Sequence, residues 1–423
     1  MEKKFTDHRG DPRVVITGMG AITPIGNTAE ASWQSLMHGR SGINQVTHFD
    51  TSDIPCKIAG EVKNFDPSKY LSRRERRRMD RLSQLVIAAA TEAMQDANYE
   101  PHPGEDERSG VLIGTAIGGL QHAIESMETY RARGFSKVSP YAIIGALPNM
   151  VSHFVSALSK ARGPINTIST ACATGTQAIG EAFELIRRGR ADRMLAGGAD
   201  SLIHPSTLAG FSAMRGLCIS HNDKPETACR PFTLNRDGFI VSEGAGVVVL
   251  ERMEDAVARG AKIYAEVLGH ASSSDGYHIA EPDPDGRGAV RAMKWAIEDS
   301  NLDPEQIGYI NAHGSSTPFN DRSETVAIKK LFGEYAYDLP ISSTKALTGH
   351  ALGAAGAIEA IFTVQAIDKK VLPPTWHYDV PDPECDLDYI PNQPRKKKVE
   401  YAMSNSFGLG GQNACLVLGR PAV

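Results

Sequence analysis

The chain has 423 residues, 41% of them hydrophobic and 22% charged, with 40 glycines and a formal net charge of −5. That length exceeds what one hydrophobic core usually spans, so two domains or two fused halves are expected. The acidic balance argues against a dedicated nucleic-acid binder, and no apolar run reaches the ~20 residues of a membrane span. The polar stretch from Met1 to Arg13 lacks a signal-peptide core, so a cytoplasmic location is expected. Six cysteines, Cys56, Cys172, Cys218, Cys229, Cys385 and Cys415, show no Cys-x-x-Cys spacing. In a cytosolic chain they read as free thiols, not as a disulfide framework or a structural zinc site.

In chain order, Val14-Val15-Ile16-Thr17-Gly18-Met19-Gly20 reads as a buried strand ending in glycines, followed by a helix capped by Asn27 or Thr28. Its Gly-x-Gly lacks the third glycine of a dinucleotide fingerprint, so a tight strand exit is the preferred reading. Five arginines fill six positions at Arg73-Arg74-Glu75-Arg76-Arg77-Arg78. They precede a helix that buries Leu82, Leu85, Val86, Ala89, Ala90 and Ala93. If the arginine run is helical, Arg74, Arg77 and Arg78 share one face. That face is either a solvated surface or a dock for an acidic partner, since arginine forks suit carboxylates and phosphates.

A strand is expected over 109–115, and another extended run over Pro164 to Ile168 leads into Ser169-Thr170-Ala171-Cys172-Ala173-Thr174-Gly175. A helix from about Gln177 to Arg188 follows, burying Ala178, Ile179, Ala182, Phe183 and Ile186. Cys172 is thus offered on a strand-to-helix turn, where first-turn N–H groups favour a thiolate and can bind an oxyanion. Strands near 193–198 and 247–250 complete an alternating α/β pattern. The second half repeats this grammar. Strands are expected over 262–269, 307–312 and 339–343, with helices over 288–301 and near 321–331. The former is expected to bury Val290, Met293, Trp295 and Ile297, and closing strands lie within 401–419. The repeated order suggests an internal duplication, without an obvious residue-level repeat.

Two histidines stand at junctions of the second half: His313 in Asn311-Ala312-His313-Gly314, and His350 after Thr348-Gly349. The helix after His350 is nearly all Gly, Ala, Leu and Ile and must be buried, so its Glu359 needs a partner. Lys345 is the candidate, either as a pair that only orders the core or as one that biases a histidine. A thiol protease needs one histidine oriented by Asn or Asp. Two neutral imidazoles can instead donate Nε–H groups to one carbonyl oxygen and stabilise an enolate, while a cysteine holds an acyl group as a thioester. Burial would keep both pKa values low.

These residues are recognisable. From about Arg13 to Leu418 the chain resembles the β-ketoacyl-[acyl-carrier-protein] synthases, closest to the synthase II type. The motifs are Thr170-Ala171-Cys172, Gly197-Gly198-Ala199-Asp200, Arg236-Asp237-Gly238-Phe239, Asn311-Ala312-His313-Gly314, Lys345 with Thr348-Gly349-His350, Gly353-Ala354-Ala355-Gly356 and Asn405-Ser406-Phe407-Gly408. The resemblance implies a thiolase-like α/β fold in which two similar halves, 12–262 and 263–423, stack into five layers (αβαβα), and a homodimer. It implies decarboxylative Claisen condensation with substrates on the phosphopantetheine of an acidic acyl-carrier protein, without further cofactor or metal. Cys172 would accept the acyl chain, and His313 and His350 would serve decarboxylation of the malonyl unit. The amides of Cys172 and Leu409 would form the oxyanion hole. Lys345 and Glu359 match the family's supporting pair, and Phe239 its shielding phenylalanine. Ser315 and Thr317 match the pantetheine-binding hydroxyls, and Ile117 the end of the acyl pocket contributed across the dimer. Arg74, Arg77 and Arg78 match the carrier-protein patch.

The chain departs from the pattern in its gating loop, where Phe407-Gly408-Leu409 replaces Phe-Gly-Phe, which bears on chain-length preference. Gln412 stands where Thr or His is common, Ser315 replaces the usual Thr, and Ala173-Thr174 follows Cys172 in place of two hydroxyl residues. Fatty-acid elongation leads, with a type II polyketide or polyene ketosynthase as the alternative. A non-catalytic chain-length partner is disfavoured by the intact Cys172, His313 and His350. A thiolase would need a second cysteine motif near the C-terminus, and Cys415 reads as core. Two histidines disfavour a thiol hydrolase.

Overall fold

The structure, a computed structural model, describes residues 4–100 and 106–422; the first three residues of the polar N-terminus lie outside the described residues. Ten strands share one mixed sheet: β1 (Val14–Ile22), β2 (Ser109–Gly114), β3 (Ile165–Asn166), β4 (Arg193–Asp200), β5 (Gly244–Arg252), β6 (Ala265–Ser274), β7 (Ile307–Asn311), β8 (Ile341–Ser342), β9 (Tyr401–Gly408) and β10 (Gln412–Gly419). Their spatial order is β8-β7-β9-β10-β6-β1-β5-β4-β2-β3. Within this sheet, among the described residues, the pairing of Val14 to Ile16 with Ala265 to Val267 joins the halves. Each half runs third, second, fourth, fifth, first. In each, the third–second and second–fourth pairs are parallel and the remaining two antiparallel. The duplication absent at residue level is therefore complete in topology.

Five helices build three layers around these strands: α1 (Arg81–Asp96), α2 (Thr174–Arg187), α3 (Arg287–Asp299), α4 (Pro318–Phe332) and α5 (Ala355–Lys369). Alternation along β5 divides the core. Val247 and Val249 face α1 with Leu85, Val86 and Ala89, whereas Val248 and Leu250 face the centre with Ile179 and Phe183 of α2 and Ile358 and Phe362 of α5. On the far side, Met293 and Ile297 of α3 and Ile328 of α4 pack on Ile310, Met403 and Val417. The layers run α1, first half-sheet, α2 with α5, second half-sheet, α3 with α4. The near-continuous burial of β1, β4 and β5 on both faces and the all-round burial of α5 follow from this stacking.

Two details differ from the sequence reading. Trp295 is 45% exposed, because α3 turns Ala289, Ala292, Met293, Ala296 and Ile297 inward and position 295 falls on the opposite face. Gly18 and Gly20 do not end their strand but lie inside it. A Cβ on Gly18 would meet the Ala93 carbonyl oxygen at 2.3 Å, and one on Gly20 the Ala89 carbonyl oxygen at 2.0 Å. The Gly-x-Gly is there so that α1 can press on β1. Gly20→Ala should therefore destabilise the protein by about 1–3 kcal/mol through overpacking. Denaturant titration would read this as a lowered midpoint, and an unchanged midpoint would show that the helix does not press there.

Candidate active site

In each half the third strand leads through an elbow into a central helix. The first elbow has Ala171 at φ 49°, a 3₁₀ turn over Ala171–Ala173, and then α2. The second has Leu352 at φ 50°, a 3₁₀ turn over Leu352–Ala354, and then α5. Cys172 and Gly353 occupy equivalent places. The elbows touch: a Cβ on Gly175 would lie 2.5 Å from the Ala357 nitrogen, and one on Gly356 would lie 2.2 Å from Thr176 Oγ1. Glycine at both positions lets the helix starts cross, and the crossing brings the two halves' side chains to one cavity.

The Cys172 sulfur and one ring nitrogen from each of His313 and His350 lie within 4.8 Å of one another, and all three residues are buried. His313 follows β7, and its backbone N–H and that of Gly314 donate to the two oxygens of Glu324 at 2.9 and 2.8 Å. Lys345 Nζ donates to the His313 carbonyl oxygen at 2.7 Å, faces His313 Nδ1 at 3.4 Å and bonds Glu359 Oε1 at 2.5 Å. The Leu352 N–H donates to His350 Nδ1 at 3.3 Å. Lysine has no acceptor and a backbone N–H only donates, so both Nδ1 atoms accept and both Nε2 atoms carry the proton. His350 Nε2 is buried without a protein partner among the described residues. Two Nε2–H donors beside a sulfur suit a carbonyl oxygen and not a metal ion, which needs the lone pair.

Burial pushes the Cys172 thiol up to about 11, against the opposing pull of the Lys345 charge and an amide bond from Leu409. The resting sulfur is thus a thiol and not the thiolate expected from the helix start, because burial disfavours the charge. Both imidazoles are held well below their ordinary range, first by burial and then by the Lys345 charge. They are neutral donors at neutral pH. Burial also raises Glu359 to about 7 against the pull of Lys345. Near this pair, Asn311 Oδ1, Glu359 Oε2 and Ser404 Oγ are buried without a hydrogen-bond partner among the described residues. Asn311 and Ser404 are register neighbours, and Asn311 Nδ2 reaches the Glu359 carbonyl oxygen at 3.5 Å.

A cavity of about 380 Å³ opens over the three residues. Phe239 forms part of its wall, edge-on to His350 at 5.5 Å between ring centroids. Phe407 and Leu409 cover the other side, with the Phe407 ring 6.0 Å from His313. Ser315 and Thr317 also line it, their hydroxyls 2.9 Å apart. Ile117 is not brought there within one chain and stands 42% exposed. The arginine run forms only one turn, Arg73–Arg76, started by the capping box of Ser72 and Glu75 and closed at Arg77, so the shared helical face is not realised. Arg74, Arg77 and Arg78 nevertheless line one surface groove with Tyr141, whose ring lies 4.8 Å from the Arg78 guanidinium.

The sequence reading missed three contributors. Glu324, raised to about 7 by burial, cradles the His313 turn; an acid on the buried face of α4 was the available signal. Asp200, quoted only as motif, reaches the second elbow. The segment from Asp275 to Pro282 walls the cavity and is hydrogen-bonded to the hairpin of β9 and β10, Gly410 N–H to the Ile279 carbonyl at 3.0 Å and Asp275 N–H to that of Gly411 at 2.9 Å.

Among the described residues, no helix is long and apolar enough to cross a membrane. The model of the beta-ketoacyl synthase N-terminal domain matches residues 11–256, and that of the C-terminal domain matches 264–379. The chain is 50% identical over 404 residues to 3-oxoacyl-[acyl-carrier-protein] synthase 2 of Synechocystis, covering 96% of this chain and 97% of that relative. It is 47% identical over 405 residues to the protein of that name from Staphylococcus aureus, with 96% and 97% covered. A solved ketosynthase, in complex with its type II polyketide acyl-carrier protein and bound to the hexaketide, superimposes with a TM-score of 0.90 at 35% identity, over 97% of this chain and 100% of that one. With its duplicated thiolase-like halves and a buried cysteine between two histidines, the chain belongs to the β-ketoacyl synthase family.

Proposed function

We propose that this chain performs decarboxylative Claisen condensation, lengthening an acyl chain on Cys172 by two carbons with malonyl-[acyl-carrier protein] in fatty acid biosynthesis. The observation that carries the reading is the pair of Nε2–H donors beside the Cys172 sulfur. In acyl transfer, the sulfur attacks the carrier thioester, the amides of Cys172 and Leu409 hold the oxyanion, and the departing pantetheine sulfur takes the thiol proton. The malonyl thioester oxygen then accepts from His313 and His350. The bond to the carboxylate breaks, CO2 leaves, and its electron pair becomes the enolate. The enolate carbon attacks the Cys172 thioester, its C–S bond breaks, and the freed sulfur recovers a proton from solvent. The product is a 3-oxoacyl thioester on the carrier.

The remaining roles follow. Lys345 and Glu359 hold His313, and Phe239 shields the decarboxylating carboxylate. Ser315 and Thr317 bind pantetheine amides, and Phe407 with Leu409 gates the acyl channel. Arg74, Arg77 and Arg78 dock the acidic carrier, whose phosphopantetheine brings both substrates, so no further cofactor is required. The working form is a cytoplasmic homodimer, each chain dividing into halves 12–262 and 263–423. Exposed Met127, Tyr130, Ile143 and Ile144 near the open edge of β3 support pairing of two chains. Ile117 then closes the acyl pocket of the partner subunit. Fatty-acid elongation is placed ahead of polyketide synthesis because the curated relatives at 47% and 50% identity exceed the polyketide ketosynthase at 35%.

Cys172→Ala should abolish condensation while malonyl decarboxylation stays measurable, and normal condensation by that variant would sink the assignment. Charge reversal at Arg74 and Arg77 should raise KM for the carrier protein and flatten its salt dependence; an unchanged KM removes the patch from docking. With its thiol near about 11, Cys172 alkylation should accelerate by about tenfold per unit between about pH 7 and 10. Rates that level off below pH 8, followed by mass spectrometry, would contradict the neutral resting thiol.

A further inference from the structure

Asp200 ends β4 and is wholly buried. Its Oδ1 accepts from Thr115 Oγ1 at 2.7 Å. Oδ2 accepts from the Ala116 N–H at 2.9 Å and the Gly353 N–H at 2.6 Å, and the Ile117 amide also donates to the carboxylate. The donors come from both halves. Gly353 occupies in the second elbow the place that Cys172 takes in the first. A Cβ on Gly353 would lie 2.5 Å from Asp200 Oδ2 and 2.6 Å from the Ala116 nitrogen, so only glycine admits the carboxylate. In the first elbow this N–H is the one assigned above to the reacting oxyanion. In the second elbow, an internal carboxylate fills the corresponding place.

One residue earlier, Leu352 is held at φ 50°, a conformation that strains a side chain of its type. From there its N–H reaches His350 Nδ1 at 3.3 Å. We propose that Asp200 is a positioning residue for the condensation: by holding the Gly353 amide it keeps the second elbow strained, so that the Leu352 N–H locks His350 as the Nε2–H donor. Without that acceptor, a buried N–H is left unpaired and the elbow relaxes to satisfy it elsewhere. His350 then loses the bond that fixes its tautomer. The role of His350 in decarboxylation rests on the proposed function; the tautomer itself does not.

Nuclear magnetic resonance of ¹⁵N-histidine-labelled protein reads the tautomer directly, and the half-reactions read its consequence. The wild type should show His350 protonated at Nε2. In Asp200→Ala that signature should give way to a mixture, with malonyl decarboxylation slowed by about tenfold and Cys172 acylation changed by less than about threefold. Asp200→Asn should restore both, because its carbonyl oxygen can face the Gly353 and Ala116 amides while its NH2 turns to Thr115 Oγ1. A wild-type His350 protonated at Nδ1 overturns the proposal whether or not any variant folds. It also falls if folded Asp200→Ala keeps the tautomer, if both half-reactions drop in parallel, or if Asp200→Asn loses the tautomer. Absence of decarboxylation in the wild type would strike the proposed function and leave the tautomer result standing.

Discussion

The approach of Gly175 to Ala357 and of Gly356 to Thr176 sets the distance between two elbows that lie far apart in sequence. Because α2 and α5 start at this crossing, Cys172 of one half and the two histidines of the other share a single cavity. The half-sheets gain their mutual burial from the same two helices, with β1 and β6 stitched by a short ladder. A side chain at either glycine would push the halves apart, so the crossing governs both the packed centre and the chemistry at its rim.

Desolvation governs the electrostatics there. A cysteine, two histidines and two glutamates are buried in one region with Lys345, and burial disfavours the charged form of each of those five. The charged contact is that of Lys345 with Glu359, at 2.5 Å. Its positive end faces the histidines and adds to burial in keeping them neutral. The costs of burying such a pair are large, and its use is orientational: Lys345 grips the His313 carbonyl and faces its Nδ1. The thiol is likewise neutral at rest. In the proposed reaction its reactivity belongs to the moment when substrate brings a leaving group and the backbone amides meet an oxyanion.

The cavity roof is a hairpin tied to a neighbouring wall. Phe407 and Leu409 lie on the hairpin of β9 and β10, joined to the segment after β6 by two backbone bonds. The hairpin is thus continuous with a second wall, and the aliphatic Leu409 sits where both meet.

The sequence by itself determined the α/β class, the duplicated order, the elbow holding Cys172 and the identities of His313, His350, Lys345 and Glu359. Period-two and helical patterns, together with short motifs at strand ends, are local properties that a linear chain displays. What they do to one another is not local. Only the tertiary structure decided that Gly18 and Gly20 serve helix packing, that Trp295 faces outward and that the arginine run is one turn. It also decided the neutral thiol, because desolvation depends on atoms supplied by distant segments. The tautomers were equally out of reach of the sequence: they follow from Lys345 and from the Leu352 amide, placed by folding against imidazoles whose sequence neighbours do not foretell the contact. Asp200 and Glu324 were visible as letters, yet their roles lie in the amides they hold, and those amides meet them only in the folded chain.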